Sequence, residues 1–317
     1  MVNTYRSLVF IPALGLILLA SIFLFYGDPN SFYRRSLTEL WNQGHVVYFI
    51  LFGYLLAQWP GLRALRCGPR NLVLLLSALA LGLLIEWAQA GTARSPDRID
   101  VARDLIGCLL VIAFYAPLLE GCRCLWRNVV KLIAGLLFVI SLIPLLIALV
   151  DESIAQHQFP LLADFETPFE LGRWEGSASM AIVKMDPQRD QHQLQIDLTT
   201  DQYSGISLAY FPADWRDFKW VSLRLFQPRD EMLEITVRIH DQTHETSQDP
   251  YQFSDRFNRS FPLKPGWNTL HIPLSDVRAA PKQRPMDMSR IRDLSLFSIE
   301  LPEPRTLYLD RVSLSAQ

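Results

Sequence analysis

Long apolar runs fill the first half of the chain. Five of them, at residues 7–26, 44–60, 71–90, 99–119 and 128–150, approach the roughly 20 residues that an α-helix needs to cross a bilayer. The run at 7–26 is long for a signal peptide and lacks a small-residue cleavage motif, so we expect it to remain as an anchor. The pattern therefore predicts a membrane bundle of five transmembrane helices.

The second half alternates apolar and polar residues with a period of two. The alternation covers the segments LQIDLTT, WVSLRLF, LEITVRIH, NTLHIPL, LSLFSIEL and TLYLDRVSL. Such segments, separated by turns that contain Pro, Asp and Gly, are typical of antiparallel strands in an all-β sandwich. We expect Val221, Leu223 and Leu225 of one segment, and Ile235 and Val237 of another, to face the core.

Charge and composition support this division. Residues 1–150 contain 12 Lys and Arg against 7 Asp and Glu, and residues 151–317 contain the remaining 18 and 25. We therefore predict a transmembrane domain over 1–150, a connector over 151–163 and a sandwich over 164–317. The two loops richest in arginine carry Arg63, Arg66, Arg70, Arg123 and Arg127.

The positive-inside rule places those two loops and the N-terminus in the cytoplasm and, with five spans, the sandwich outside. The predicted location is the cytoplasmic (inner) membrane of a bacterial-type envelope. Cys67, Cys122 and Cys124 fall in the predicted cytoplasmic loops, where thiols stay reduced, and Cys108 falls in a span. The exported half contains no cysteine and needs no disulfide.

A polar stretch, EWAQAGTARSPDRIDVARDLIG, separates two of the apolar runs at Glu86–Gly107. Ionisable residues at the edge of a membrane are costly and indicate a functional site. Three predicted helices bring one set of side chains to the outer membrane surface: His45, Glu86, Gln89, Arg94, Asp97, Asp100 and Asp104. None of these is assigned firmly as a catalytic residue, because no nucleophile accompanies them.

The spacing of these residues resembles the signature of the VanZ-like membrane protein family, over about residues 8–118. The resemblance includes Gly44-His45 on an earlier helix, and it departs from the family at Asp104, where Asn is usual. It implies a role in the cell envelope, since that family is associated with resistance to teicoplanin-type glycopeptides.

Three chemical roles are open to this cluster. The charges can pair and hold the helices together. Alternatively, Arg94 and His45 can contact the phosphate of a lipid-linked sugar or peptidoglycan precursor at the bilayer surface. The third role is catalysis or transport, in which paired carboxylates exchange protons or hold a divalent cation.

The second half resembles the galactose-binding-like jelly rolls of carbohydrate-binding modules. The resemblance rests on Asp164-Phe165-Glu166, Gly266-Trp267-Asn268 and Leu307-Tyr308-Leu309-Asp310. It implies glycan binding without catalysis and a structural calcium near the chain ends, which would involve Glu166 and Asp310. Trp174 and Trp267 are expected to be core or corner residues.

Residues of loops and outward strand positions are the ligand candidates of the sandwich. The strands WVSLRLF and LEITVRIH are expected to share one outer sheet face. The candidates are Arg224, Arg238, His240, Trp215, Tyr251, Phe253 and Arg256. No basic run indicates a nucleic-acid partner, and the sequence sets no oligomeric state.

The sequence thus favours an integral membrane protein of the envelope that recognises a glycan or lipid-linked precursor and that affects glycopeptide susceptibility. Two other classes stay open. One is a membrane enzyme or transporter that acts on a lipid-linked glycan, and the other is a structural scaffold.

Overall fold

The computed structural model describes residues 34–89, 97–121, 124–184, 191–247 and 252–316, together with Gly15, Leu16 and Ser21. The chain forms two compact units that divide between Leu146 and Ile147, with Tyr33–Arg35 assigned to the second. Most of the predicted span at 7–26 lies outside the described residues.

The described part of the first half is helical. Its helices, and the one that crosses the division between the units, are α1 (Arg35–Asn42), α2 (Gly44–Ala57), α3 (Pro60–Arg63), α4 (Cys67–Gln89), α5 (Arg98–Phe114), α6 (Ala116–Leu119), α7 (Cys124–Ser141) and α8 (Ile143–Gln158). The predicted connector 151–163 therefore consists of the end of α8, a short turn and the first strand.

Among the residues that the structure describes, two helical stretches are long and apolar enough to cross a membrane: Cys67–Gln89 and Cys124–Gln158. Many of their leucines, such as Leu76 and Leu136, are exposed as they would be to lipid. Five spanning helices are not supported. The helix in 44–60 stops at Ala57 and a new one begins at Pro60, and α5 ends at Phe114 with Pro117 in the first turn of the next helix, because proline cannot continue a helix.

The helices of the first unit approach closely at glycines. A Cβ built on Gly107 of α5 would collide with the carbonyl oxygen of Val46 on α2, so only glycine fits there. Cys67, at the start of α4, is disulfide-bonded. This corrects the prediction of a reduced thiol at Cys67, since disulfides persist in oxidising compartments.

The second unit is an antiparallel β-sandwich, as predicted. Its strands are β1 (Leu161–Ala163), β2 (Trp174–Gly176), β3 (Ser179–Val183), β4 (Gln193–Leu198), β5 (Tyr203–Leu208), β6 (Trp220–Gln227), β7 (Leu233–Asp241), β8 (Phe257–Leu263), β9 (Gly266–Pro273), β10 (Ile291–Ile299) and β11 (Arg305–Ser315). Short helices α9 (Gln242–Glu245), α10 (Leu274–Ala279) and two 3-10 turns, Glu170–Arg173 and Phe253–Asp255, connect them.

The strands form two facing sheets. One has the order β3-β4-β11-β6-β9, with β1 paired to β11, and the other has the order β2-β5-β10-β7-β8. The predicted inward positions Leu223 and Val237 are completely buried, which confirms the alternation. However, β6 and β7 belong to different sheets, so the prediction that they share one outer face is wrong.

Candidate functional site

A groove of about 770 Å³ lies on the five-stranded sheet. Residues of β5, β7, β8 and β10 line it, together with the turn that holds Phe253 and Arg256. Because alternate residues of a strand face the same side, Ser295, Phe297 and Ile299 of β10 all reach the groove. The sheet therefore presents a rigid floor with side chains at regular intervals.

Aromatic rings stand in this groove beside polar groups. The residues Phe253 and Tyr203 are 68% and 58% exposed, and the ring of Tyr203 packs edge-on against that of Phe297 at 6.0 Å. The Cζ atom of Arg256 lies 5.5 Å from the Phe253 ring centroid. Hydroxyl and amide groups lie among the rings and come from Ser177, Ser207, Thr236, Asn258, Ser260 and Ser295.

A hydrogen-bond network holds Arg238 in the floor. Its Nη2 donates to Ser295 Oγ at 2.9 Å and its Nε to Asp293 Oδ2 at 3.3 Å. Ser207 Oγ donates to the other carboxylate oxygen of Asp293 at 2.6 Å. Arg238 is therefore pre-positioned, with part of its charge already offset.

Arg256 is less well satisfied. Burial, and then the nearby guanidinium of Arg238, lower the pKa of Arg256, although arginine stays charged at neutral pH. Among the described residues it makes no ion pair, and its Nε has no hydrogen-bond partner. On the opposite wall, burial and then Asp293 raise the pKa of Glu175. Arg256 is thus the guanidinium of the groove whose charge is least offset, since Arg238 and Arg259 each pair with an aspartate.

The other predicted ligand residues of the sandwich lie elsewhere. Trp215 is completely buried and its Nε1 donates to Pro212 O at 3.1 Å. The prediction of Trp215 as a ligand residue is therefore wrong: it is a core residue, although its neighbours in the sequence are polar. Arg224 lies on the six-stranded sheet, 4.3 Å from the Trp267 ring centroid. His240 is buried between Asp293 and Glu245, and Tyr251 lies outside the described residues.

The groove also contains residues that the sequence analysis did not select, chiefly Tyr203, Asn258, Phe297 and Arg259. Period-two alternation marks Phe297 as sharing a face with Ser295, but selecting it requires knowing that β10 adjoins β7. Trp174 is buried as expected, whereas Trp267 is 46% exposed.

The predicted calcium ligands are engaged by protein groups. Glu166 accepts hydrogen bonds from the backbone N–H of His192 at 3.1 Å and contacts its ring Nδ1 at 3.1 Å. Asp310 lies 3.3 Å from Arg224 Nη1 and accepts from Gln193 Nε2 at 3.1 Å. A structural calcium at these residues stays a prediction.

The polar cluster of the first unit is buried. His45 Nδ1 lies 2.9 Å from Asp104 Oδ1, and His45 Nε2 lies 3.5 Å from Asp100 Oδ2. Arg103, which the sequence analysis did not select, donates to Asp100 Oδ1 at 2.6 Å. Glu86 Oε2 accepts the backbone N–H of Asp97 at 2.8 Å.

The structure thus brings together residues from α2, α4 and α5. Gln89 is also buried. The side chain of Asp97 caps the N-terminus of α5 by accepting the N–H of Ile99, whereas Arg94 lies outside the described residues.

Comparisons with known proteins are confined to solved structures, since no protein-family model and no curated protein matches the chain. The family 11 carbohydrate-binding module from Clostridium thermocellum, in complex with a beta-1,3-1,4-mixed-linked tetrasaccharide, is 18% identical over 49% of this chain and 94% of the module, with a TM-score of 0.38. The family 30 module of a cellulosomal cellulase of that organism is 11% identical over 46% of this chain and 92% of the module, with a TM-score of 0.34.

An exo-beta-agarase is 15% identical over 50% of this chain and 25% of its own, with a TM-score of 0.39. The resemblance to the VanZ-like family gains no support from these comparisons and stays a prediction.

Proposed function

We propose that this protein is a membrane-anchored glycan-binding protein and that the groove on the five-stranded sheet is its binding site. The observation that carries the proposal is the groove itself, in which exposed Phe253 and Tyr203 rings stand among hydroxyl, amide and guanidinium groups. Sugar rings have apolar faces that pack on aromatic rings, and hydroxyls that require hydrogen-bond partners. A volume of about 770 Å³ accommodates a short oligosaccharide.

The charge of the groove favours an anionic saccharide. Three arginines line it against one acid, Glu175. Asp293 pairs with Arg238, and Asp276 pairs with Arg259 at 2.9 Å, so Arg256 is the guanidinium best placed to meet a ligand carboxylate or phosphate. Charge-assisted hydrogen bonds of this kind are stronger than neutral ones.

The groove favours binding over hydrolysis. Glycoside hydrolysis generally uses two carboxylates that flank the scissile bond. Among the described lining residues Glu175 is the single carboxylate. A recognition role therefore fits the groove better than an enzymatic one.

The placement of this domain is the second part of the proposal. The arginine-rich loops favour a cytoplasmic start for the stretch Cys124–Gln158, and the sandwich that follows this stretch would then lie outside the membrane. There we propose a lipid-linked precursor or another envelope polymer as the ligand and glycopeptide susceptibility as the phenotype. The disulfide at Cys67 supports the opposite orientation, in which the loop that contains Cys67 lies in an oxidising compartment and the sandwich lies in the cytoplasm. The two orientations are distinguished by labelling intact cells with a membrane-impermeant thiol reagent. The target is an introduced cysteine, Ser275→Cys, on the exposed part of α10, and its modification requires an external sandwich.

Binding is tested on the full chain in detergent or nanodiscs, presented to an array of neutral and acidic glycans. We expect retention of an acidic glycan, and about a tenfold or greater loss of affinity in Phe253→Ala and Arg256→Gln, because each removes a central contact. Trp267→Ala is the matched control, since this exposed ring lies on the other sheet. Equal loss in all three variants, or no retained glycan, would contradict the proposal.

A further inference from the structure

The buried cluster of the first unit contains one imidazole and two carboxylates that face one another. His45 at the start of α2, Glu86 near the end of α4 and Asp100 in the first turn of α5 each offer one ligand atom, and these atoms lie within 4.8 Å of one another. All three residues are buried. Three separate helices therefore converge on one small volume.

An unsatisfied nitrogen points into this volume. His45 is 0% exposed and its Nε2 has no hydrogen-bond partner, a costly condition for a buried polar atom. Its other nitrogen, Nδ1, lies 2.9 Å from Asp104 Oδ1. A carboxylate that accepts Nδ1–H leaves the lone pair on Nε2, which is how metal-binding histidines are oriented.

The distances and charges fit an ion. Ligand atoms about 2.1 Å from a tetrahedral metal lie roughly 3.4 Å apart, and His45 Nε2 is 3.5 Å from Asp100 Oδ2. Among the described residues, Arg103 is the guanidinium paired in this cluster, and it is shared between Asp100 and Glu39. Asp104, whose Oδ2 is buried without a hydrogen-bond partner, adds further negative charge, which a buried divalent cation would offset.

We propose that His45, Glu86 and Asp100 bind a divalent transition-metal ion of the Zn²⁺ or Mn²⁺ class, with Asp104 as the positioning residue for His45. One imidazole nitrogen with two carboxylate oxygens suits these ions better than Ca²⁺ or Mg²⁺, which prefer oxygen ligands alone. Three protein ligands leave a coordination position open for water or a substrate oxygen. The site is independent of the glycan groove.

The test is the metal content and the Zn²⁺ and Mn²⁺ affinity of the full chain in detergent, measured against a chromophoric chelator. We expect one ion per chain, loss of binding in Glu86→Gln and Asp100→Asn, and about a 10–100-fold weaker affinity in Asp104→Asn. Glu120→Gln, an exposed acid of the same unit, is the matched control and should bind as the wild type does.

A second readout separates ion loss from misfolding. The ion should raise the melting temperature of the wild type and of Glu120→Gln, because it binds the folded state, and should leave that of Glu86→Gln unchanged. Equal affinity in wild type, Glu86→Gln and Asp100→Asn would mean surface binding and would overturn the proposal. So would the absence of binding to the wild type, which would leave the cluster with a structural role alone.

Discussion

Each unit contains a buried cluster in which aspartate pairs with a basic side chain. The two clusters differ in how completely their polar atoms are hydrogen-bonded. In the second unit, Arg173 donates from Nε and Nη2 to Asp151 Oδ1 at 3.0 and 2.8 Å, and from Nη1 to Leu162 O at 3.0 Å. In the first unit, His45 Nε2 and Asp104 Oδ2 are buried without hydrogen-bond partners. The cluster at Arg173 therefore has no capacity left for a ligand, whereas the cluster at His45 has.

The comparison predicts that removing Asp151 affects folding above all. Asp151→Ala should lower the free energy of unfolding by about 3–5 kcal/mol, because it removes the ion-pair partner of the buried Arg173 guanidinium. Chemical unfolding followed by tryptophan fluorescence measures this, since Trp174 and Trp215 are buried in the same unit.

The control for that experiment is an ion pair at the surface. Asp214 and Arg216 are 2.6 Å apart with side chains 53% and 65% exposed, and Asp214→Ala should cost only about 0–1 kcal/mol. If Asp151→Ala cost no more than this, the Arg173 pair would not be a stabilising element and the contrast between the clusters would fail.

Asp241 belongs to a third cluster that is fully satisfied. It accepts the N–H groups of His244 at 3.0 Å and Asp287 at 2.7 Å, and Arg284 Nη2 at 2.7 Å. Burial opposes its ionisation, but the Arg284 guanidinium and the two N–H groups outweigh burial and lower the pKa of Asp241. Asp241→Asn should therefore cost about 1.5–3 kcal/mol at pH 7.

The sign of the pH dependence follows from that lowered pKa. A carboxyl whose pKa is lower in the folded state contributes its full stability above its unfolded pKa, about 3.9, and loses it as the pH falls through the folded pKa. Unfolding midpoints of wild type and Asp241→Asn should thus converge as the pH falls below about 3.9. A constant difference over that range would exclude the carboxylate charge as its cause.

The period-two alternation in the sequence predicted which residues of β6 and β7 face the core, because the alternation of side chains along a strand does not depend on the neighbouring strands. Sheet membership could not be predicted this way, since β6 pairs with β9 and β11, and β7 with β8 and β10, through contacts distant in sequence. The groove was accordingly found in part, at Arg238, Phe253 and Arg256. Its remaining rings belong to β5 and β10, whose position beside β7 is a property of the whole sheet.

The cluster around His45 was also predicted only in part: its residues were found, but their pairing was not. Polar residues inside apolar runs marked Glu86, Asp100 and Asp104, because a membrane environment makes such residues conspicuous. Which nitrogen of His45 meets which carboxylate depends on the packing of α2 against α5, and this packing rests on the close approach at Gly107.

Gly82 offers the smallest change that separates stability from ion binding. A Cβ at this position would lie 2.5 Å from Asp104 Oδ2, which is the end of a side chain and not backbone, so Gly82→Ala displaces that carboxylate and removes no ligand. Alanine favours the helix by about 0.8–1.0 kcal/mol over glycine, which offsets the displacement. Stability should hold or rise slightly while the affinity for Zn²⁺ or Mn²⁺ falls about tenfold, since His45 loses its orienting partner.

The matched control for Gly82→Ala is Gly107→Ala, in which the new Cβ meets the backbone oxygen of Val46. Backbone cannot yield as a carboxylate does, so this variant should lose about 1–3 kcal/mol of stability. An ion site oriented by Asp104 requires that Gly82→Ala weaken ion binding while its stability stays the same or rises. A purely structural cluster would bind no ion in the wild type or in either variant, and chelator competition on all three proteins, alongside their melting temperatures, distinguishes the cases.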